Sequence, residues 1–207
     1  MFHPVGHPLE RGWVGRVDGD RVVQLAAQTL QSFFSGGGSA REHAEYPLYE
    51  VVLLPPVLHP PSVRIFEEEG SFAFANPAAI VGPGAEIPCN DQVQGLVVAL
   101  RIAVVVGAGA AIGGFTLLAE WRDPSREPPK DRDFALGLGP VVVTPDAFAD
   151  DAGFDWDAAT DLAAAGTHLY PGDLLAGPVR DERGVGAGQS VLLEVDGIGI
   201  LEQRVAG

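Results

Sequence analysis

The sequence predicts a mainly β protein of the α+β class, a mixed β roll or sandwich with a small N-terminal α+β lobe. Three observations predict it. Short runs rich in Val, Ile, Leu and Phe recur along the chain, and 27 Gly and 17 Pro separate them. Only two segments, Leu25–Phe34 and Asp157–Ala165, carry helical character. Finally, 207 residues at 46% hydrophobic content suffice for one sizeable core, or for a main domain plus a small lobe.

The elements follow in order. Gly12–Leu25 alternates around Asp18-Gly19, a two-residue hairpin signal. Leu25–Phe34 has apolar residues at helical spacing and stops at Ser35-Gly-Gly-Gly38. Tyr49–Leu54 reads as a short strand ended by Pro55-Pro56. The Pro-rich stretch from Pro55 to Pro61 divides an N-terminal lobe, residues 1–56, from a C-terminal domain, residues 57–207. In the latter, strands are expected at Phe72–Phe74, Ala79–Val81, Leu96–Val106, Phe115–Trp121, Pro140–Val143, Leu174–Leu175, Ser190–Val195 and Gly199–Val205. Asp157–Ala165 is an Ala-rich helix preceded by acids.

Composition excludes several function classes. A net charge of −15, from 28 acidic and 13 basic residues, repels phosphate backbones and argues against nucleic-acid binding. Cys89 is the single cysteine, which excludes an intrachain disulfide and suits a reducing cytoplasm. It sits in a polar Pro-Cys-Asn-Asp loop with no neighbouring His, which argues against a nucleophile. Met1-Phe2-His3-Pro4 lacks the pattern of a secretion signal. Gly95–Leu118 is long and apolar enough to resemble a membrane span, but Arg101 within it would cost roughly 2–3 kcal/mol on insertion scales. The four glycines of Gly107–Gly114 and the Val/Ile-rich flanks point instead to two buried strands joined by a Gly-rich connection. Val104-Val-Val-Gly107-Ala-Gly109 also looks like a dinucleotide-binding turn. However, the third glycine falls late at Gly113, Phe115–Asp123 is a poor helix, and Glu127-Pro-Pro129 excludes the second strand such a fold needs. No zinc spacing or phosphate loop is present.

Several motifs occur in a shared order. They are Gly15-Arg-Val-Asp-Gly-Asp-Arg-Val-Val-Gln-Leu25, Val52-Leu-Leu-Pro-Pro56, Pro60-Pro-Ser-Val-Arg-Ile-Phe66, Phe74-Ala-Asn-Pro77 and Gly82-Pro-Gly84. Val97–Gly107, Gly114-Phe-Thr-Leu-Leu-Ala-Glu-Trp121, Arg132-Asp-Phe134, Leu138–Asp146, Leu169-Tyr-Pro-Gly-Asp173 and Val195–Leu201 complete the series. Together they resemble the fumarylacetoacetate hydrolase (FAH) superfamily along most of the chain. The resemblance implies an FAH-like β roll, a dimer built through the catalytic domain, and a pocket for a carbonyl-rich small molecule. In that family a strand reading E-x-E-L-A-V-V-I-G supplies two Glu to a divalent cation. The matching positions here are Ala99 and Arg101; the family's further metal Asp residues correspond to Ile65 and Glu120. One oxygen donor of four remains, too few for magnesium. The lid after Phe66 and the loop at Ala176-Gly-Pro178 are shortened.

Residues 99 and 101 share a strand face, so the resemblance aims Arg101 into the former metal cavity, where a buried guanidinium needs an acid. Glu120 is the expected partner. The pair either stabilises an enolate or oxyanion, or is a structural ion pair filling the cavity. Arg132 replaces the family's Lys and binds a carboxylate or carbonyl, or is a surface charge. Glu67, Glu68 and Glu69 either include a general acid or form a solvated turn. Trp121 and Trp156 line a pocket or belong to the core; Phe74 lies on a family loop; His168, beside the Pro-Gly-Asp turn, reaches a cleft or stays at the surface.

Three functions are therefore carried forward. The first is a metal-independent enzyme with no cofactor, catalysing cyclisation or isomerisation in specialised, polyketide-like biosynthesis. Its catalytic residues would be Arg101, Glu120 and Arg132, with Trp121, Phe74, Glu69 and His168 binding substrate. The second is a Mg-dependent C–C hydrolase or β-keto acid decarboxylase that draws ligands from Glu120, Glu67–Glu69 or Asp91. The third is a non-catalytic binding or assembly protein.

Overall fold

The computed structural model describes residues 1–89, 95–148, 150 and 153–207; Asp91 lies outside them. The N-terminal elements are β1 (Phe2–Pro4), β2 (Gly15–Asp18), β3 (Arg21–Leu25), α1 (Leu30–Ser35), β4 (Glu42–Pro47) and β5 (Val51–Leu53). Strands β2, β3 and β4 form an antiparallel sheet, and β1 pairs with β5. The hairpin turns one residue later than Asp18-Gly19 suggests: Asp18 pairs with Arg21, and Gly19 takes φ +58°, a conformation glycine adopts without strain. The helix starts later than expected because Leu25 belongs to β3. Thr29 caps it, its side chain accepting from the Ser32 amide while the Ser32 hydroxyl accepts from the Thr29 amide.

The main body adds β6 (Val63–Glu68), β7 (Ser71–Ala75), β8 (Ile80–Val81), β9 (Glu86–Ile87), β10 (Gly95–Val106), β11 (Ile112–Arg122), β12 (Leu136–Val143), α2 (Trp156–Ala164), β13 (Leu174–Gly186), β14 (Ser190–Val195) and β15 (Gly199–Val205). Seven strands form one mixed sheet in the order β7-β6-β13-β10-β11-β12-β8, with β13 parallel to β6 and β12 parallel to β8. A second sheet has the order β14-β15-β9. The fold is mainly β, as composition and punctuation suggest.

The central strand β10 is apolar on both faces because both are covered. On one face Val98, Leu100, Ile102 and Val104 pack with Leu117, Trp121, the α2 residues Trp156 and Ala159, and Leu193 and Leu201 of the small sheet. On the other, Ala103 and Val105 join Val63, Ile65, Leu118, Leu136 and Leu138, with Leu30 and Phe34 of α1 against them. Arg101 lies on this second face by alternation. The segment with membrane-like hydropathy is thus the β10–β11 hairpin, and no described helix is long and apolar enough to cross a membrane.

Strand β13 runs to Gly186, far beyond the two residues expected at Leu174–Leu175. Pro178 and the charged run Arg180-Asp-Glu-Arg183 look like loop. They are tolerated because β13 shifts register against β10: Ala176 faces Ala103 while Val179 faces Arg101. That irregularity frees a carbonyl at the site described next.

Candidate functional site

Four strands converge on Arg101. In the β10–β11 ladder Ala99 faces Glu120 and Arg101 faces Leu118, so Arg101 and Glu120 are diagonal neighbours on one face. From β6, Glu67 shares the face of Val63 and Ile65 by alternation. From β13, the register shift presents the carbonyl of Gly177.

The guanidinium is 1% exposed and fully engaged. Its Nε donates to Glu120 Oε2 at 2.9 Å. Its Nη2 lies 2.8 Å from the same oxygen and donates to Glu67 Oε1 at 2.8 Å. Its Nη1 donates to Gly177 O at 3.0 Å and, at a longer 3.5 Å, to Phe66 O. A guanidinium has five N–H groups, and five contacts meet them. Glu120 is equally buried, and its second oxygen lies 3.5 Å from Nη1 of Arg132, a residue about two-fifths exposed. Arg132 Nε in turn donates to Asp131 Oδ2 at 3.1 Å. Two cations and two glutamates therefore form a chain, Arg132–Glu120–Arg101–Glu67, with its middle buried and its two ends reaching solvent.

A turn holds the Arg132 end. Asp123, just after β11, donates its amide to Asp131 O at 2.7 Å. Its carboxylate accepts from the Ser125 hydroxyl at 2.6 Å and pairs with Arg126 at 2.8 Å. The Ser125 hydrogen bond is the main reason that this carboxyl sits below the usual Asp range, with the Ser125 amide and Arg126 adding to it.

These residues do not fit a divalent cation. Ala99, opposite Glu120, offers a buried methyl, Ile65 a hydrocarbon, and Arg101 occupies the space between the carboxylates of Glu120 and Glu67. Magnesium needs several oxygens in near-octahedral order. Among the described residues no group of three or more His, Cys, Asp or Glu side chains could hold a metal.

The structure brings together Arg101, Glu120 and Arg132 and adds Glu67, which the sequence offered with Glu68 and Glu69 as a general acid, a metal ligand or part of a solvated turn. It leaves the other candidates elsewhere. Trp121 is fully buried on the opposite face of β11, donating from Nε1 to Gln203 Oε1 at 2.7 Å, a core position. Phe74 is 71% exposed on the edge strand β7, with the Arg64 guanidinium 5.3 Å from its ring centroid. Glu69 borders a hollow of about 200 Å³ with Phe66, Phe154 and Asp155. His168 is exposed and packs edge-on against Tyr170 at 4.5 Å. The carbonyls of Phe66 and Gly177 were missed, since backbone acceptors leave no mark in a sequence. The cluster of buried Arg64 and Asp173 with half-buried Ser62 was missed too: Ser62 donates to Asp173 Oδ1 at 2.6 Å across 111 residues of chain. It anchors the Pro-Gly-Asp turn, where the Tyr170 amide donates to Asp173 Oδ2 at 2.7 Å.

This geometry sits on the fold of the FAH superfamily. No family model matches the sequence, and no curated protein matches it. Solved structures do. A maleylpyruvate hydrolase from Sphingobium sp. SYK-6, in complex with manganese(II) and pyruvate, is 20% identical, with 95% of this chain and 97% of that one covered and a TM-score of 0.75. A 5-carboxymethyl-2-hydroxymuconate delta-isomerase from Mycobacterium smegmatis is 20% identical over 94% of each chain, with a TM-score of 0.74. A 2-keto-3-deoxy-D-arabinonate dehydratase complexed with magnesium and 2,5-dioxopentanoate is 14% identical over 99% and 97%, with a TM-score of 0.79. The neighbours are FAH-fold enzymes that act as hydrolase, isomerase and dehydratase, and the chain shares their fold across nearly its whole length.

Proposed function

We propose that this chain is a metal-independent FAH-fold enzyme that moves a proton on a carbonyl-rich small acid, an isomerisation or cyclisation rather than a hydrolysis. The observation that carries this reading is the complete internal engagement of Arg101. With no N–H left over, it does not touch substrate; it holds Glu120 and Glu67 in fixed positions, as a positioning residue. The reactive groups are the two ends of the chain. Glu67 is 58% exposed and uses only Oε1 in the ion pair, which leaves Oε2 as a proton acceptor. Arg132 keeps N–H groups beyond those given to Asp131 and Glu120, and suits a substrate carboxylate or a developing enolate oxygen. In the step proposed, the Glu67 carboxylate removes a proton from the carbon next to a carbonyl. The C–H electrons form the enolate, whose oxygen Arg132 stabilises, and the proton returns at another carbon.

Support comes from the fold neighbours, whose substrates and ligands by name are oxo and hydroxymuconate acids. The test is deuterium exchange into a panel of 2-oxo and β-dicarbonyl acids, followed by mass spectrometry with chelator present. Exchange by the wild type, loss of at least 10-fold in Glu67→Gln, and a raised KM in Arg132→Met are expected. No exchange above buffer, or exchange abolished by chelator, overturns the proposal.

A further inference from the structure

A cavity of about 1000 Å³ lies away from the Arg101 cluster, between the N-terminal lobe and the far end of the main sheet. Its walls include Val14 and Val22 of the lobe, Phe34 of α1, Ile112 of β11 and Val142 of β12. The lining is mainly apolar, and the volume is at the upper end of small-molecule cavities. Buried Val14 and Val22 stand at its inner side, while Arg16, Val17 and Thr144 are exposed at its mouth.

The charge around it is unusual for this chain. With 28 acidic residues in the sequence, no lining residue is acidic, and Arg16 is the one lining residue with a charged side chain among the described residues. Arg16 pairs through Nη2 with Glu42 at 2.9 Å, which leaves N–H groups on Nε and Nη1. A mainly apolar cavity with no carboxylate among its described lining residues, and with the Arg16 guanidinium at its mouth engaged by Glu42 through Nη2 alone, suits an apolar molecule with an anionic end.

We propose that this cavity binds an amphipathic carboxylic acid, with the apolar body among Val22, Phe34, Ile112 and Val142 and the carboxylate at Arg16. The site is independent of the Glu67–Arg132 chemistry and stands whether or not that reading holds.

The probe is dansyl-labelled undecanoic acid, followed by its fluorescence on the full chain, with its methyl ester as the neutral control and size-exclusion chromatography run in parallel. Two variants at exposed positions leave the core untouched. Arg16→Ala weakens the acid about 5–10-fold, the loss of one charge-assisted contact, and leaves the ester unchanged. Val17→Trp obstructs the mouth and weakens both probes. Absence of saturable binding to the wild type, or equal acid binding by Arg16→Ala, overturns the proposal. So does a signal that follows dimer dissociation, which would make the apolar wall a face between two copies of this chain.

Discussion

Replacing Arg101 by Met removes the charge and keeps much of the side chain's length and bulk. It leaves Glu120, 1% exposed, facing only the 3.5 Å contact from Arg132, and leaves the carbonyls of Gly177 and Phe66 without their donor. Breaking a buried pair by removing one partner costs about 3–5 kcal/mol, because the other charge stays desolvated. At about 2–4 °C per kcal/mol for a chain of this size, Tm falls by roughly 6–20 °C. The assay is urea or thermal unfolding of Arg101→Met, Glu120→Gln and the double variant. The double variant should recover much of the loss, as the lone carboxylate is then neutral. A loss below about 1 kcal/mol, the range of solvated surface pairs, refutes the reasoning.

Further outcomes follow from neighbouring contacts. Installing carboxylates with Ile65→Asp, Ala99→Glu and Arg101→Glu beside Glu120 should create manganese binding near one ion per chain. Tm would then rise with manganese concentration, whereas no such dependence is expected of the wild type. Gly177→Ala places a Cβ 2.8 Å from the Trp156 ring, which packs edge-on against Phe154 and Phe115 and has little room to move. The expected loss is about 1–3 kcal/mol with a shift in tryptophan emission, and an unchanged Tm contradicts the packing described. The Asp123 carboxyl has a folded pKa below its unfolded value, so its contribution to stability is present above the unfolded pKa and lost as pH falls through the folded one. Asp123→Asn should accordingly flatten the acid limb of the stability–pH curve, and an unchanged limb excludes this role.

Much of the fold was legible because punctuation and periodicity agree with it. The β10–β11 hairpin, β14–β15 and α2 follow from apolar runs between glycines and from Asp155, which caps α2 by accepting from the Ala158 amide at 2.9 Å. Strand β13 was hidden because its outer half is charged and interrupted by Pro178, and only pairing with β10 makes it a strand. At the site, alternation along β10 placed Arg101 on the ligand face, and the need for a counter-charge pointed to Glu120. Glu67 was obscured by Glu68 and Glu69: three consecutive acids suit a solvated turn, and only the face of β6 separates Glu67 from Glu68, with Glu69 already past the strand's end. Trp121 could not be assigned to pocket or core from sequence, since its face of β11 is set by the register that seats Glu120 on the other.

Arg101 joins the carboxylates of Glu67 and Glu120, the exposed and the buried acid that could otherwise face a cation together. The most direct measurement is anomalous diffraction from crystals of the wild type soaked in manganese. The account predicts no anomalous peak within bonding distance of Glu67 or Glu120, with density for Arg101 joining the two carboxylates. A manganese peak between them, with Arg101 turned out to solvent, would contradict it.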